Sequence, residues 1–158
     1  MFQRLQFTAI LLLLAAQPVW GQVLISEFMA SNTKTVADDF GQYEDWIEIY
    51  NATSTNVNLL NWALTDSARD LFQWRFPNTN LPPRTCLVVW ASGRDRKNPG
   101  SPLHTNFKLG ASGEYLALVR PDGSIATQFY PEFPPQLPDV YYGFGTVVSR
   151  WNLVTTGA

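Results

Sequence analysis

The chain has 158 residues with 11 basic and 13 acidic side chains, a formal net charge of −2, one histidine and one cysteine. A single cysteine excludes an intrachain disulfide, and with one histidine it also excludes zinc fingers and thiol redox pairs. A mildly acidic chain lacks the clustered Lys and Arg on which nucleic-acid binding rests, so no nucleic-acid partner is expected.

In chain order, Met1–Gln6 carries one cation, Arg4, and Phe7–Ala16 is an uncharged apolar run. Val19-Trp20-Gly21 then closes the segment. That order reads as a secretory signal. The run is too short for a membrane span, which needs about 20 apolar residues. The expected layout is a leader over residues 1–21, a folded domain over 22–145, and a terminal strand or linker start over 146–158. Secretion or cell-surface display follows as the expected location.

Beyond the leader the pattern is short apolar runs broken by turn residues, with no sustained helical period. Val23–Phe28 reads as a first strand, and Asp45–Tyr50 alternates with Ile47 and Ile49 on one face. Asn56–Leu60 and Trp62–Thr65 read as two short strands around a bend, and Phe72–Phe76 alternates again. Cys86–Ala91 is continuously apolar, which predicts a central strand buried on both sides, with Val88 in the core and Cys86 an inert buried thiol. Thr105–Leu109 is a further predicted strand. Arg120-Pro121-Asp122-Gly123-Ser124 is a turn, because proline presets φ and glycine accepts a positive one. It joins Tyr115–Val119 and Ile125–Tyr130 into a hairpin. Pro131–Pro138 holds four prolines and reads as an extended crossing segment before a last strand near Val140–Gly143. Repeated short strands at this spacing predict an all-β sandwich.

In order along the chain stand Ile25-Ser26-Glu27-Phe28, Asp45-Trp46-Ile47-Glu48-Ile49-Tyr50-Asn51, Asn58-Leu59-Leu60-Asn61-Trp62-Ala63-Leu64-Thr65-Asp66, Phe76-Pro77 and Leu87-Val88-Val89. His104–Leu109 and Gly113–Leu118 extend the set, which runs from Val23 to about Gly143. This ordered set resembles the lamin-tail domain as found in secreted bacterial proteins. The resemblance implies an immunoglobulin-like β-sandwich without a catalytic residue set, set within a longer multidomain protein. Asn61 stands where that family usually has glycine, and asparagine is the best non-glycine occupant of a left-handed position.

Four constellations bear chemistry. The loop Ala37–Asp45 holds Asp38, Asp39, Glu44 and Asp45, but its spacing is poor for calcium, which takes about six to eight oxygen ligands. Whether this 38–45 loop binds calcium stays open at this point. Arg94-Asp95-Arg96-Lys97 lies in the Gly/Pro loop Ser92–Pro102 and reads as a solvated tip. His104 is the one histidine available to a Ser-His-Asp set, and its context predicts a half-exposed strand-entry residue instead. Glu27, Glu48, Glu114 and Asp66 supply acids for glycoside hydrolysis without a sequence reason to sit across a cleft.

Of Trp46, Trp62, Trp74, Trp90 and Trp151, only Trp74 and Trp151 are expected to be exposed enough for a saccharide-binding face. Asn51-Ala52-Thr53 matches a glycosylation sequon. The reading is a non-catalytic extracellular interaction or structural module with no catalytic, cofactor or metal residues. Its partner is a protein or an extracellular polymer. A carbohydrate-binding module is the alternative.

Overall fold

The computed structural model describes residues 22–98 and 100–143, which contain no helix. The expected leader over 1–21, the terminal piece over 146–158 and Trp151 lie outside the described residues. Eleven strands form: β1 (Val23–Met29), β2 (Asp45–Asn51), β3 (Val57–Asn58), β4 (Ala63–Thr65), β5 (Trp74–Arg75), β6 (Asn80–Leu81), β7 (Cys86–Ala91), β8 (Leu103–His104), β9 (Leu116–Val119), β10 (Ile125–Phe129) and β11 (Tyr142–Gly143). A five-stranded sheet has the order β11-β1-β2-β7-β8 and a four-stranded sheet the order β10-β9-β4-β5. A small β3-β6 pair stands beside them. This is the immunoglobulin-like β-sandwich that the sequence predicts.

Period-two alternation decides what enters the core. Ile25 and Phe28 of β1, Ile47 and Ile49 of β2, and Val89 of β7 meet Leu64, Trp74, Leu116 and Leu118 from the other sheet. Ile25 and Phe28 are three apart, yet both point inward. The register shifts between Ile25 and Glu27, so Ser26 is the extra residue of a β-bulge.

The predicted hairpin forms: β9 pairs β10 antiparallel, the Gly123 N–H donates to the Arg120 carbonyl at 2.9 Å, and Gly123 has φ of 85°. Asn61 adopts φ of 64°, so the bend expected there forms with asparagine in the left-handed region.

Several strand expectations need correction. In β7 only Val89, Trp90 and Ala91 are buried, whereas Cys86 is exposed and Val88 is 40% exposed. Cys86, Val88 and Trp90 share the outer face, and only the Trp90 end of that face is covered. The stretch Phe72–Phe76 contributes only Trp74 and Arg75 as strand. Thr105–Leu109 follows the short β8 rather than forming a strand, with a single bridge between Lys108 and Ser92.

The proline segment crosses between the sheets as expected. Phe133 is its buried anchor; its N–H donates to the Glu114 carbonyl at 2.8 Å, and the Gln136 N–H donates to the Ala111 carbonyl at 2.7 Å. The segment lies so close to Gly113 that a Cβ there would stand 2.4 Å from the Phe133 carbonyl oxygen. Asp139 fastens its far end by accepting the N–H groups of Thr33 and Lys34 at 2.8 and 2.9 Å.

Candidate functional site

Antiparallel pairing of β2 with β7 sets Asp45 opposite Ala91, so the loop before β2 and the loop after β7 emerge at the same end of the sheet. The acidic loop and the basic loop therefore meet. Arg94 pairs with Asp38 and, at 3.2 Å, with Glu44. Arg96 pairs with Asp39 at 2.7 Å, and Lys108 pairs with Glu44 at 3.0 Å. The expected solvated tip at Arg94–Lys97 is corrected by these contacts. Two loops that each looked suited to another protein's surface neutralise each other within one chain.

Asp38 organises its own loop. One carboxylate oxygen accepts the N–H groups of Phe40 and Gln42 at 2.9 and 2.8 Å. Burial pushes its carboxyl upward, but those two amides and the Arg94 guanidinium outweigh it and hold the group below the usual carboxylate range. The Arg96 guanidinium beside Asp39 holds that carboxyl low as well. Phe40, 53% exposed, has the guanidinium carbons of Arg94 and Arg96 at 4.6 and 4.8 Å from its ring centre.

His104 sits beneath this network and is 0% exposed, which corrects the half-exposed expectation. Its Nδ1 lies 2.8 Å from the Ser92 hydroxyl and its Nε2 lies 3.1 Å from Asp39. The Ser92 oxygen also accepts the Arg94 N–H at 3.4 Å, so its own hydrogen goes to Nδ1 and Nε2–H donates to Asp39. The buried imidazole thus links the base of both loops. Serine, histidine and aspartate are together, but in the reverse ring sense to a hydrolytic triad, where the serine bonds Nε2. Ser92 is only 5% exposed.

Oxygen and nitrogen atoms of Asp38, Asp39 and His104 lie within 4.8 Å of one another, close enough to share a cation. Arg94 and Arg96 already fill that electrostatic role. The other sequence-selected acids separate into two places. Glu27 faces Glu48 across β1 and β2. Glu114 accepts the Gly110 N–H at 2.7 Å, and burial, with Asp66 and Asp45 nearby, raises its carboxyl. Asp45 caps the Asn32 amide at 3.0 Å, as a strand-entry residue should, and burial pushes its carboxyl up to about 6.

Trp74, chosen as an exposed candidate, is 0% exposed in the core, while Trp46 and Trp90 are also buried and Trp62 is half-buried. Trp74 alternates inward from β5, and the sequence offered no signal of which face of so short a strand would be covered. Asn51 is likewise buried. Its side-chain NH2 donates to the carbonyls of Thr55 and Leu81 at 2.9 Å, so the sequon amide is a structural tie.

A family model described as Lamin Tail Domain matches residues 16–131, well over half of the chain. The chain belongs to the lamin-tail domain family. The match ends at Pro131, so the proline crossing and β11 of this lamin-tail domain lie beyond the matched stretch. No curated protein matches the chain. No helix among the described residues is long and apolar enough to cross a membrane.

Proposed function

We propose that this lamin-tail domain is a non-catalytic interaction or structural module of an exported protein, displayed outside the cell and joined to further domains. The observation that carries the reading is the fate of the one Ser-His-Asp constellation. Its serine and histidine are sealed from solvent, and its aspartate is engaged by Arg96, so these groups hold two loops in place. A nucleophile needs access to substrate and a site about 3 Å away for the reacting atom, and a sealed set supplies neither. Export is supported by the leader-like order of Met1–Gly21. A protein or extracellular polymer is the proposed partner, because a sandwich carries function on loops and open faces.

The test is a screen for esterase, glycosidase, phosphatase and protease activity, with the His104→Ala protein alongside. No turnover in either protein is expected. Turnover in the native chain that vanishes in the variant overturns the non-catalytic reading.

A further inference from the structure

The outer face of the five-stranded sheet is closed at one end and open at the other. At the closed end Met29, Trp46 and Trp90 pack with Tyr141, and the Trp90 ring stacks on His104 at 6.4 Å. Toward Val23 the same face carries Leu24, Glu27, Glu48, Tyr50, Cys86 and Val88. Cys86 and Val88 are exposed, and Leu24 and Tyr50 are half-buried. The register sets Glu27 opposite Glu48, and Glu48 opposite Val88. Like charges directly opposite on neighbouring strands repel.

Burial sharpens the conflict. Glu48 is 5% exposed, and its carboxylate accepts a hydrogen bond from the Ser26 hydroxyl at 2.5 Å and another from the Cys86 thiol. Both donors are neutral. Among the described residues no cation pairs with Glu27 or Glu48, whereas Asp38, Asp39 and Glu44 each have one. Burial and the neighbouring Glu48 raise the Glu27 carboxyl. A sheet face that is half apolar, half open and short of positive charge lacks one kind of group.

We propose that this half-face docks a partner protein that presents a lysine or arginine between apolar side chains. The cation sits between Glu27 and Glu48 and turns their repulsion into charge-assisted hydrogen bonds. The flanking apolar groups cover Val88, Leu24 and Tyr50 and keep water from the ion pair, as at the centre of a protein interface. The proposal rests on the interaction-module reading and can fail alone, since a partner bound at the Phe40 loop would keep that reading and remove this one.

The test titrates the 15N-labelled chain with the blocked tripeptides Val-Lys-Val, Val-Arg-Val, Val-Leu-Val and Val-Glu-Val. The lysine and arginine peptides should move the amide signals of Glu27, Glu48 and Val88, and the other two should not. Glu27→Gln with Glu48→Gln should weaken binding about tenfold or more. Glu27→Gln alone, at a half-buried position, should weaken it in the same direction if the double variant does not fold. Equal shifts from the leucine peptide, shifts confined to other residues, or none at millimolar peptide overturn the proposal. Concentration-dependent shifts of these signals without peptide would assign the face to a second copy and overturn it too.

Discussion

Where β2 begins, Asp38, Asp39 and Glu44 meet Arg94, Arg96 and Lys108. Toward the opposite end of that strand, Glu48 faces Glu27 with only a hydroxyl and a thiol for company. Both regions belong to one sheet, and both collect acids. They differ in what supplies the neighbours. At the loop end, two long connections fold toward each other and bring counter-ions with them. In mid-strand the register fixes every neighbour, so a carboxylate placed there keeps whatever stands opposite.

The largest test of this contrast uses packing. Trp90→Ala, at the covered end, should cost about 3–5 kcal/mol, and Val88→Ala, two residues away on the same face, less than about 1 kcal/mol. Denaturant unfolding measures both, and equal losses would mean the face is covered along its whole length. Charge comes next. Arg94→Met leaves the Asp38 carboxylate buried without its cation and should cost about 2 kcal/mol.

Asp45 tests the pH side. Its folded pKa, about 6, lies above the ordinary value of 3.8, so protonation favours the fold and that stability is lost as pH rises from about 4 through 6. Asp45→Asn keeps an oxygen for the Asn32 amide. It should stabilise the chain by about 1 kcal/mol at pH 7, after allowance for solvent screening, and not at pH 4. Thermal melts at the two pH values decide it. The smallest effect is Glu27→Gln, which should add about 0.5 kcal/mol by removing cross-strand repulsion. Its sign, opposite to that of Arg94→Met, is the sharpest statement of the contrast. A loss on Glu27→Gln would show that Glu27 has a favourable partner.

The sandwich was legible because its signals are local. Alternation in Asp45–Tyr50, the Pro-Asp-Gly turn and the apolar run of β9 each act within a few residues. Val88, Cys86 and Trp74 were misplaced because an apolar side chain says that a face is coverable, not which element covers it. Cys86 is inert for a different reason from the one expected. Its thiol is pushed up to about 12 by partial burial and by Glu48 and Glu27, rather than hidden in the core. The loop network was missed although its cause was within reach. Once β2 and β7 are antiparallel neighbours, residues before one and after the other share an end. His104 required three-dimensional placement, since its partners Ser92, Arg96 and Asp39 come from two separate loops.

β11 contributes just two residue pairs, Tyr142 with Phe28 and Gly143 with Glu27, on the free side of the strand that opens the fold. Because the two strands are antiparallel, the chain passes Gly143 heading toward the end at which Val23 entered. Tension applied through both points would load that short ladder as a zipper, one hydrogen-bonded pair at a time. A shear-loaded ladder shares force across all its bonds, whereas this one does not. Held between neighbouring domains under mechanical load, the molecule would give first at Gly143, while β2 and β7 kept their six-pair register intact.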